Sequence, residues 1–154
     1  MFNVVLIEPE IPPNTGNIGR LCLATDATLH LVRPLGFSID DKTLKRAGLD
    51  YWKETKVKVW DNFAQLQAAN PAGRFWYLTT KCERAYEEAA FQPGDFLVFG
   101  RETKGLPEPM LTAHPERCLT IPMTQKTRSL NLATAVGIVL FEGMRQLRVA
   151  TKTL

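Results

Sequence analysis

Three polar segments of this chain carry residue types and spacings that could do chemistry. The first, Asn14-Thr-Gly16-Asn17-Ile-Gly19-Arg20, combines two amide side chains, a cap candidate and an arginine around two glycines. The second, Phe99-Gly100-Arg-Glu102-Thr-Lys104-Gly105-Leu-Pro107, is a Gly-edged turn with one carboxylate at its centre. The third, Ile121-Pro-Met123-Thr-Gln-Lys126-Thr-Arg-Ser129-Leu-Asn131, leads into the apolar run Leu132 to Phe141. Backbone N–H groups at such a helix entry lack intrahelical partners and can hold a polar ligand. None of the three supplies a Ser-His-Asp set, a carboxylate pair or a metal cluster. Chemistry that needs little acid–base machinery and no metal suits them, and transfer of a group from an already activated donor is of that kind.

The nucleotide motifs these segments approach are incomplete. Gly16 and Gly19 give GxxG rather than GxGxxG, and His30-Leu-Val-Arg33 has no acidic residue where a ribose ligand would stand. Gly100 and Gly105 mimic a P-loop, but Leu106-Pro107 replaces the Lys-Ser/Thr pair that phosphate and Mg²⁺ require. A dinucleotide enzyme and an NTPase are thereby disfavoured, and an α/β protein of flavodoxin type stays open on topology alone.

Each segment has to be positioned by a strand that precedes it. The pattern predicts strands over Phe2–Ile7, Leu29–Val32, Val57–Trp60, Arg74–Leu78, Phe96–Phe99 and Leu119–Ile121. Helices are expected from Asn14 to Asp26 behind a stiff Pro9/Pro12/Pro13 turn, from Asp40-Asp41 to Arg46, and after an Asp61 cap through Phe63, Leu66 and Ala69. A last helix, capped by Ser129 or Asn131, has almost no polar face over Leu132–Phe141 and is expected to be buried. Alternating strands and helices imply an α/β architecture around a mainly parallel sheet. All three segments would then follow the C-terminal ends of strands, where such sheets bind ligands.

At 154 residues, with 45% hydrophobic and 23% charged residues, the chain is expected to be one domain, residues 1–154, around one core. Its longest apolar stretch is too short to span a bilayer, and the start, Met1-Phe-Asn-Val-Val-Leu-Ile, lacks signal-peptide character. Three widely spaced cysteines argue against disulfides or zinc and favour the cytoplasm. Net charge is +3, modest for a nucleic-acid binder, with clusters at Lys42/Lys45/Arg46, Lys53/Lys56/Lys58, Lys126/Arg128 and Arg145/Arg148/Lys152.

Taken together, the three segments resemble the three motifs of the SPOUT class of RNA methyltransferases. The likeness extends through Glu8-Pro9-Glu10-Ile11-Pro12-Pro13 and Arg46-Ala-Gly48-Leu-Asp50-Tyr51-Trp52, from Phe2 to about Leu147. Within that class the chain resembles the minimal tRNA (cytidine/uridine-34-2′-O)-methyltransferases. The resemblance implies a C-terminal deep trefoil knot, S-adenosyl-L-methionine as cofactor with S-adenosyl-L-homocysteine as product, and no metal. It implies a pocket around Leu78, Gly100, Ile121 and Ser129, lined or supported by Thr79, Glu102, Met123, Leu130 and Asn131. Arg20 matches the functional arginine, and Asn14, Asn17, Lys42, Arg46 and Lys126 become candidate RNA contacts. Arg101 departs from the small residue or proline common at that position, and either reaches substrate phosphate or alters the pocket rim. The implied partner is the anticodon stem-loop of tRNA, with wobble C34/U34 of leucine tRNAs as target, bound by a homodimer built on the first and last helices, with no DNA or membrane role. The alternatives are a 2′-O-methyltransferase for another tRNA position or rRNA, and a non-catalytic RNA-binding knot protein.

Overall fold

Strand β1 (Asn3–Ile7) lies at the centre of a six-stranded sheet and is buried along almost its whole length. The sheet, in a computed structural model that describes residues 1–40, 42, 46 and 49–153, has the order β3-β2-β1-β5-β4-β6. The other strands are β2 (Thr28–Val32), β3 (Val57–Trp60), β4 (Phe75–Leu78), β5 (Phe96–Phe99) and β6 (Cys118–Leu119). Every strand pairing is parallel. Near-continuous apolar runs such as Val4-Val-Leu-Ile7 and Phe96-Leu-Val-Phe99 are what a parallel sheet covered on both faces demands.

Strand alternation divides the core in two. Val4, Leu6, Leu29, Leu31, Leu97 and Phe99 point to one face, where they meet Ile18 of helix α1 (Pro12–Ala24) and Val136, Val139 and Leu140 of helix α4 (Leu132–Thr153). Val5, Ile7, Tyr77 and Val98 point to the other, against Leu66 of α2 (Phe63–Ala69) and Leu111 of α3 (Glu108–Ala113). Each fully buried Val or Leu on these helices contributes about 1.5–3 kcal/mol, so the core faces, not intrinsic propensity, hold the helices in place. Among the described residues no helix is long and apolar enough to cross a membrane.

Several expected boundaries move. Helix α1 starts at Pro12, two residues before the expected Asn14, because proline suits the first helical turn, where its missing N–H costs nothing. The α2 cap is Asn62, not Asp61: Asn62 Oδ1 accepts from Gln65 N at 2.8 Å, while Asp61 pairs with Arg33 at 3.1 Å. β6 ends at Leu119 because Thr120 turns to pair with the segment around Ala85 rather than with β4. The helix expected from Asp40-Asp41 to Arg46 lies outside the described residues, save that Lys42 and Arg46 are helical and exposed. The expectation that α4 is buried all round fails on one stripe. Thr134, Phe141, Arg145 and Arg148 recur at helical spacing on its exposed face, and Phe141 is 48% exposed.

One buried polar chain makes a testable contribution to stability. Trp60 Nε1 can only donate, so the 2.9 Å contact to His30 Nδ1 requires an unprotonated Nδ1. The proton then sits on Nε2, which donates to Asn3 Oδ1 at 2.9 Å. Burial, helped by the nearby Lys58 charge, pushes the His30 pKa down to about 4. The unfolded chain takes up this proton near pH 6.5 and the folded one only near 4, so stability is intact above pH 6.5 and falls below it. The loss by pH 4 is ~3 kcal/mol. Thermal melts should show that decline between pH 6.5 and 4, and His30→Gln should flatten it; an unchanged slope in the variant would refute the assignment.

Candidate active site

The C-terminal ends of β4 and β5, the segment after β6 and the first turns of α1 and α4 enclose a cavity of about 530 Å³. That is within the range of small-molecule sites, roughly 300–1,000 Å³. Leu78, Thr79, Gly100, Glu102, Ile121, Met123, Ser129, Leu130 and Asn131, all nine of the expected cofactor residues, stand on its wall, and so does Asn14. Asn17, Arg20, Lys42, Arg46 and Lys126 do not, and all five are exposed. Asn17 and Arg20 sit one turn apart on α1, with Arg20 two turns inside the helix.

The wall is shaped by a turn that folds back on itself. Arg101 N donates to Gly105 O at 3.2 Å and Gly105 N to Arg101 O at 2.9 Å, so residues 101–105 close as a small antiparallel loop. Gly105 has φ +66°, which glycine adopts readily. A Cβ on Gly100 would lie 2.1 Å from the Gly105 carbonyl carbon and 2.2 Å from Leu106 N, so that position admits no side chain.

Two carboxylates tie this turn to α1 reciprocally. Glu102 Oε2 accepts from Glu10 N at 2.9 Å and Oε1 from Ile11 N at 3.1 Å. Glu10 Oε1 accepts from Thr103 N at 3.2 Å and Thr103 Oγ1 at 2.8 Å, bonds that hold its carboxyl below the usual range. Helix α1 needs this help. Its cap position is Ile11, which has no capping side chain, so the Glu102 charge takes up backbone donors just ahead of the positive helix end.

The third segment is anchored at Asn131. Its Oδ1 caps α4 by accepting from Thr134 N at 3.1 Å, and its Nδ2 donates to Asn14 Oδ1 at 3.0 Å. One side chain therefore joins the entries of α4 and α1 beside the cavity. On the opposite rim Lys81 Nζ meets Glu108 Oε1 at 2.7 Å, linking the loop after β4 to the start of α3.

Leu78, Ile121, Met123 and Leu130 give the cavity apolar walls that fit a flat heterocycle. Loop backbone and the Thr79, Ser129 and Asn131 side chains bring hydrogen-bonding groups to the same wall. That mixture suits a nucleoside-type cofactor such as S-adenosylmethionine. Lys81, Lys104 and Arg128 on the wall were not among the expected site residues; the place of Lys104 in the second segment and the charged pair Lys126/Arg128 in the third were the sequence signals near two of them.

The SpoU rRNA Methylase family profile matches residues 1–141. A tRNA (cytidine(34)-2′-O)-methyltransferase of Escherichia coli (strain K12) is 52% identical over 149 residues, 96% of this chain and 94% of that protein. A solved structure concerned with 2-OH methylation of C/U34 on tRNA is 44% identical and superposes with a TM-score of 0.92, over 96% of this chain and 97% of that one. An AdoMet-bound rRNA methyltransferase from Sinorhizobium meliloti is 26% identical with a TM-score of 0.83, over 95% of this chain and 56% of that one.

Proposed function

The chain belongs to the SpoU rRNA Methylase family, and from that premise we propose that it methylates the ribose 2′-hydroxyl of wobble nucleotide C34 or U34 in tRNA, using S-adenosyl-L-methionine. The observation that carries this reading is the convergence of nine residues from the second and third motifs and the loop after β4 on one cavity, which Asn14 and Asn131 join to the helix bearing Arg20. Agreement with the Escherichia coli relative over nearly the full length of both chains supports position 34 as the target. The deep trefoil knot and leucine tRNAs as substrate are finer parts of the same proposal that rest on the resemblance, and a cytoplasmic location is a further part that rests on the three widely spaced cysteines.

When bound, S-adenosylmethionine supplies a sulfonium-activated methyl group. The protein's share is then chiefly orientation, which can supply roughly 7–11 kcal/mol. Apolar walls around Leu78, Ile121 and Leu130 hold the flat part of the cofactor and exclude water from it. The carboxylate of Glu102 keeps the 101–105 turn against the start of α1, so it acts on the pocket by support. Arg20 holds the phosphate beside the reacting ribose and stabilises charge developing on its oxygen. An arginine side chain does not serve as a proton acceptor in proteins, so the proton leaves to phosphate or water.

A second copy of the chain completes the proposal. Arg20 is absent from the cavity wall of its own chain. Phe141, exposed at 48%, and half-buried Ile138 form an apolar stripe on α4, and Gly137 beside them lies against Leu21 of α1. A homodimer over α1 and α4 would cover this stripe and give one tRNA two basic surfaces.

The test is incubation of the purified protein with labelled S-adenosylmethionine and unmodified tRNA, with the product mapped by nuclease digestion and mass spectrometry. Methyl on the ribose of nucleotide 34 is the expected result. Methyl at another position would retain the chemistry and overturn the target, and failure to bind the cofactor would overturn both.

A further inference from the structure

Four cations stand on the cavity wall: Lys81, Arg101, Lys104 and Arg128. Lys81 is paired with Glu108. The other three make no side-chain hydrogen bond or ion pair with the described residues. The wall holds one carboxylate, Glu102, and Glu10 lies beside it close enough to feel Arg101 and Lys104. Both acids, however, serve other donors: Glu102 gives its two oxygens to the N–H groups of residues 10 and 11, and Glu10 gives Oε1 to Thr103. Arg101 and Lys104 thus flank the tip of a turn locked by two backbone hydrogen bonds and two carboxylates. Arg128 lines the same cavity from the third polar segment, next to Ser129.

This charge does not match the cofactor. S-adenosylmethionine carries an ammonium and a sulfonium against a single carboxylate, so it is itself a net cation and brings one anionic group to three cationic side chains. Arg101 is half-buried on a rigid turn, a position that favours a charge only if an anion arrives to meet it. The reacting 2′-hydroxyl brings such anions with it. In RNA the carbon bearing it is bonded to the one carrying the 3′-phosphodiester, so a ribose presented at the cavity carries phosphate to the rim.

We propose that Arg101, Lys104 and Arg128 form a phosphate clip, two lips of one cavity that grip the RNA backbone on either side of the nucleotide to be methylated. The clip rests on the RNA-methyltransferase reading above and assigns these residues to substrate binding rather than cofactor binding. Arginine suits the role at positions 101 and 128 because its planar fork matches phosphate oxygens in pairs.

The test uses Arg101→Gln, Arg128→Gln and the double substitution in the full chain, all at or near the surface. Three quantities are read: S-adenosylhomocysteine affinity by calorimetry, KM for a tRNA transcript, and the salt dependence of transcript binding measured without turnover. Cofactor-product affinity should stay within about twofold. The KM for tRNA should rise about tenfold per substitution, and the slope of log affinity against log salt should flatten by about one for each cation removed. A loss of S-adenosylhomocysteine affinity with unchanged RNA binding would overturn the clip and give these cations to the cofactor carboxylate. Unchanged salt slopes in an enzyme that methylates tRNA would overturn the clip and leave the proposed function standing. A wild-type chain that methylates no tRNA, yet binds RNA with a slope that the substitutions flatten, would overturn the proposed function and keep the clip.

Discussion

Replacing Arg20 by alanine should lower turnover by roughly 10²–10³-fold, the usual cost of removing one donor aimed at a developing oxyanion. Cofactor affinity should hardly change. Arg20 is exposed on α1 and does not contribute to the cavity wall, so its loss leaves every pocket surface intact. Stability should hardly change either, since the buried face of α1 is carried by Ile18, Cys22 and the residues packed on them. Arg20→Lys separates two roles. A clamp needs the planar fork of guanidinium, so lysine restores charge and little turnover. A base needs a group that can lose its proton, so lysine would work well with a new pH optimum near its own titration. Single-turnover rates across about pH 7 to 11.5, a range that brackets the ordinary lysine value of about 10.4, decide the matter for the three proteins. A fast Arg20→Lys enzyme with a displaced optimum would refute the clamp.

The contrast between Arg20 and the cavity residues shows what the amino-acid sequence could convey. The three polar segments were legible as a group because each follows a strand whose apolar run is plain, and parallel sheets gather such ends on one edge; the choice of Leu78, Gly100, Ile121 and Asn131 rested on the resemblance to the methyltransferase motifs. What lay hidden depends on pairings with no local signature. Glu102 reads as a solvated turn residue until Glu10 and Ile11, 92 and 91 positions earlier, are seen to use both of its oxygens. Asn131 is recognisable as a helix cap, but its second bond to Asn14 spans 117 positions. The α4 stripe misled for a different reason. Leu132 to Phe141 is apolar all round, and composition cannot distinguish burial by the chain's own sheet from burial by another molecule. Asp61 and Asn62 are both good caps, and only the backbone angle at the entry to α2 chooses between them.

The two glycines of the 100–105 turn should respond differently to alanine, because each is needed for a different reason. At Gly100 the obstacle is backbone. An added Cβ would stand 2.1 to 2.6 Å from three atoms of residues 105 and 106, none of which can swing aside as a side chain would. Relief requires opening the paired Arg101–Gly105 turn, which also moves Glu102 away from Glu10 and Ile11. Overpacking of this kind costs about 1–3 kcal/mol, and here the upper end is expected. The pocket wall would shift by an ångström or more, a displacement that can cost about a hundredfold where groups must align. Gly100→Ala should therefore lose turnover by about that factor and bind the cofactor more weakly, with a lower melting temperature. At Gly105 there is open space around the would-be Cβ, and the sole demand is the positive φ of 66°. Alanine there should cost about 1–2 kcal/mol and leave cofactor affinity nearly unchanged, and asparagine, which tolerates that backbone region, should cost less. Calorimetric titration with S-adenosylhomocysteine alongside thermal melts compares the three variants directly. If Gly105→Ala weakened the cofactor as much as Gly100→Ala, close backbone contact would not be what makes position 100 glycine, and the turn would owe its shape to the backbone conformation at Gly105 alone.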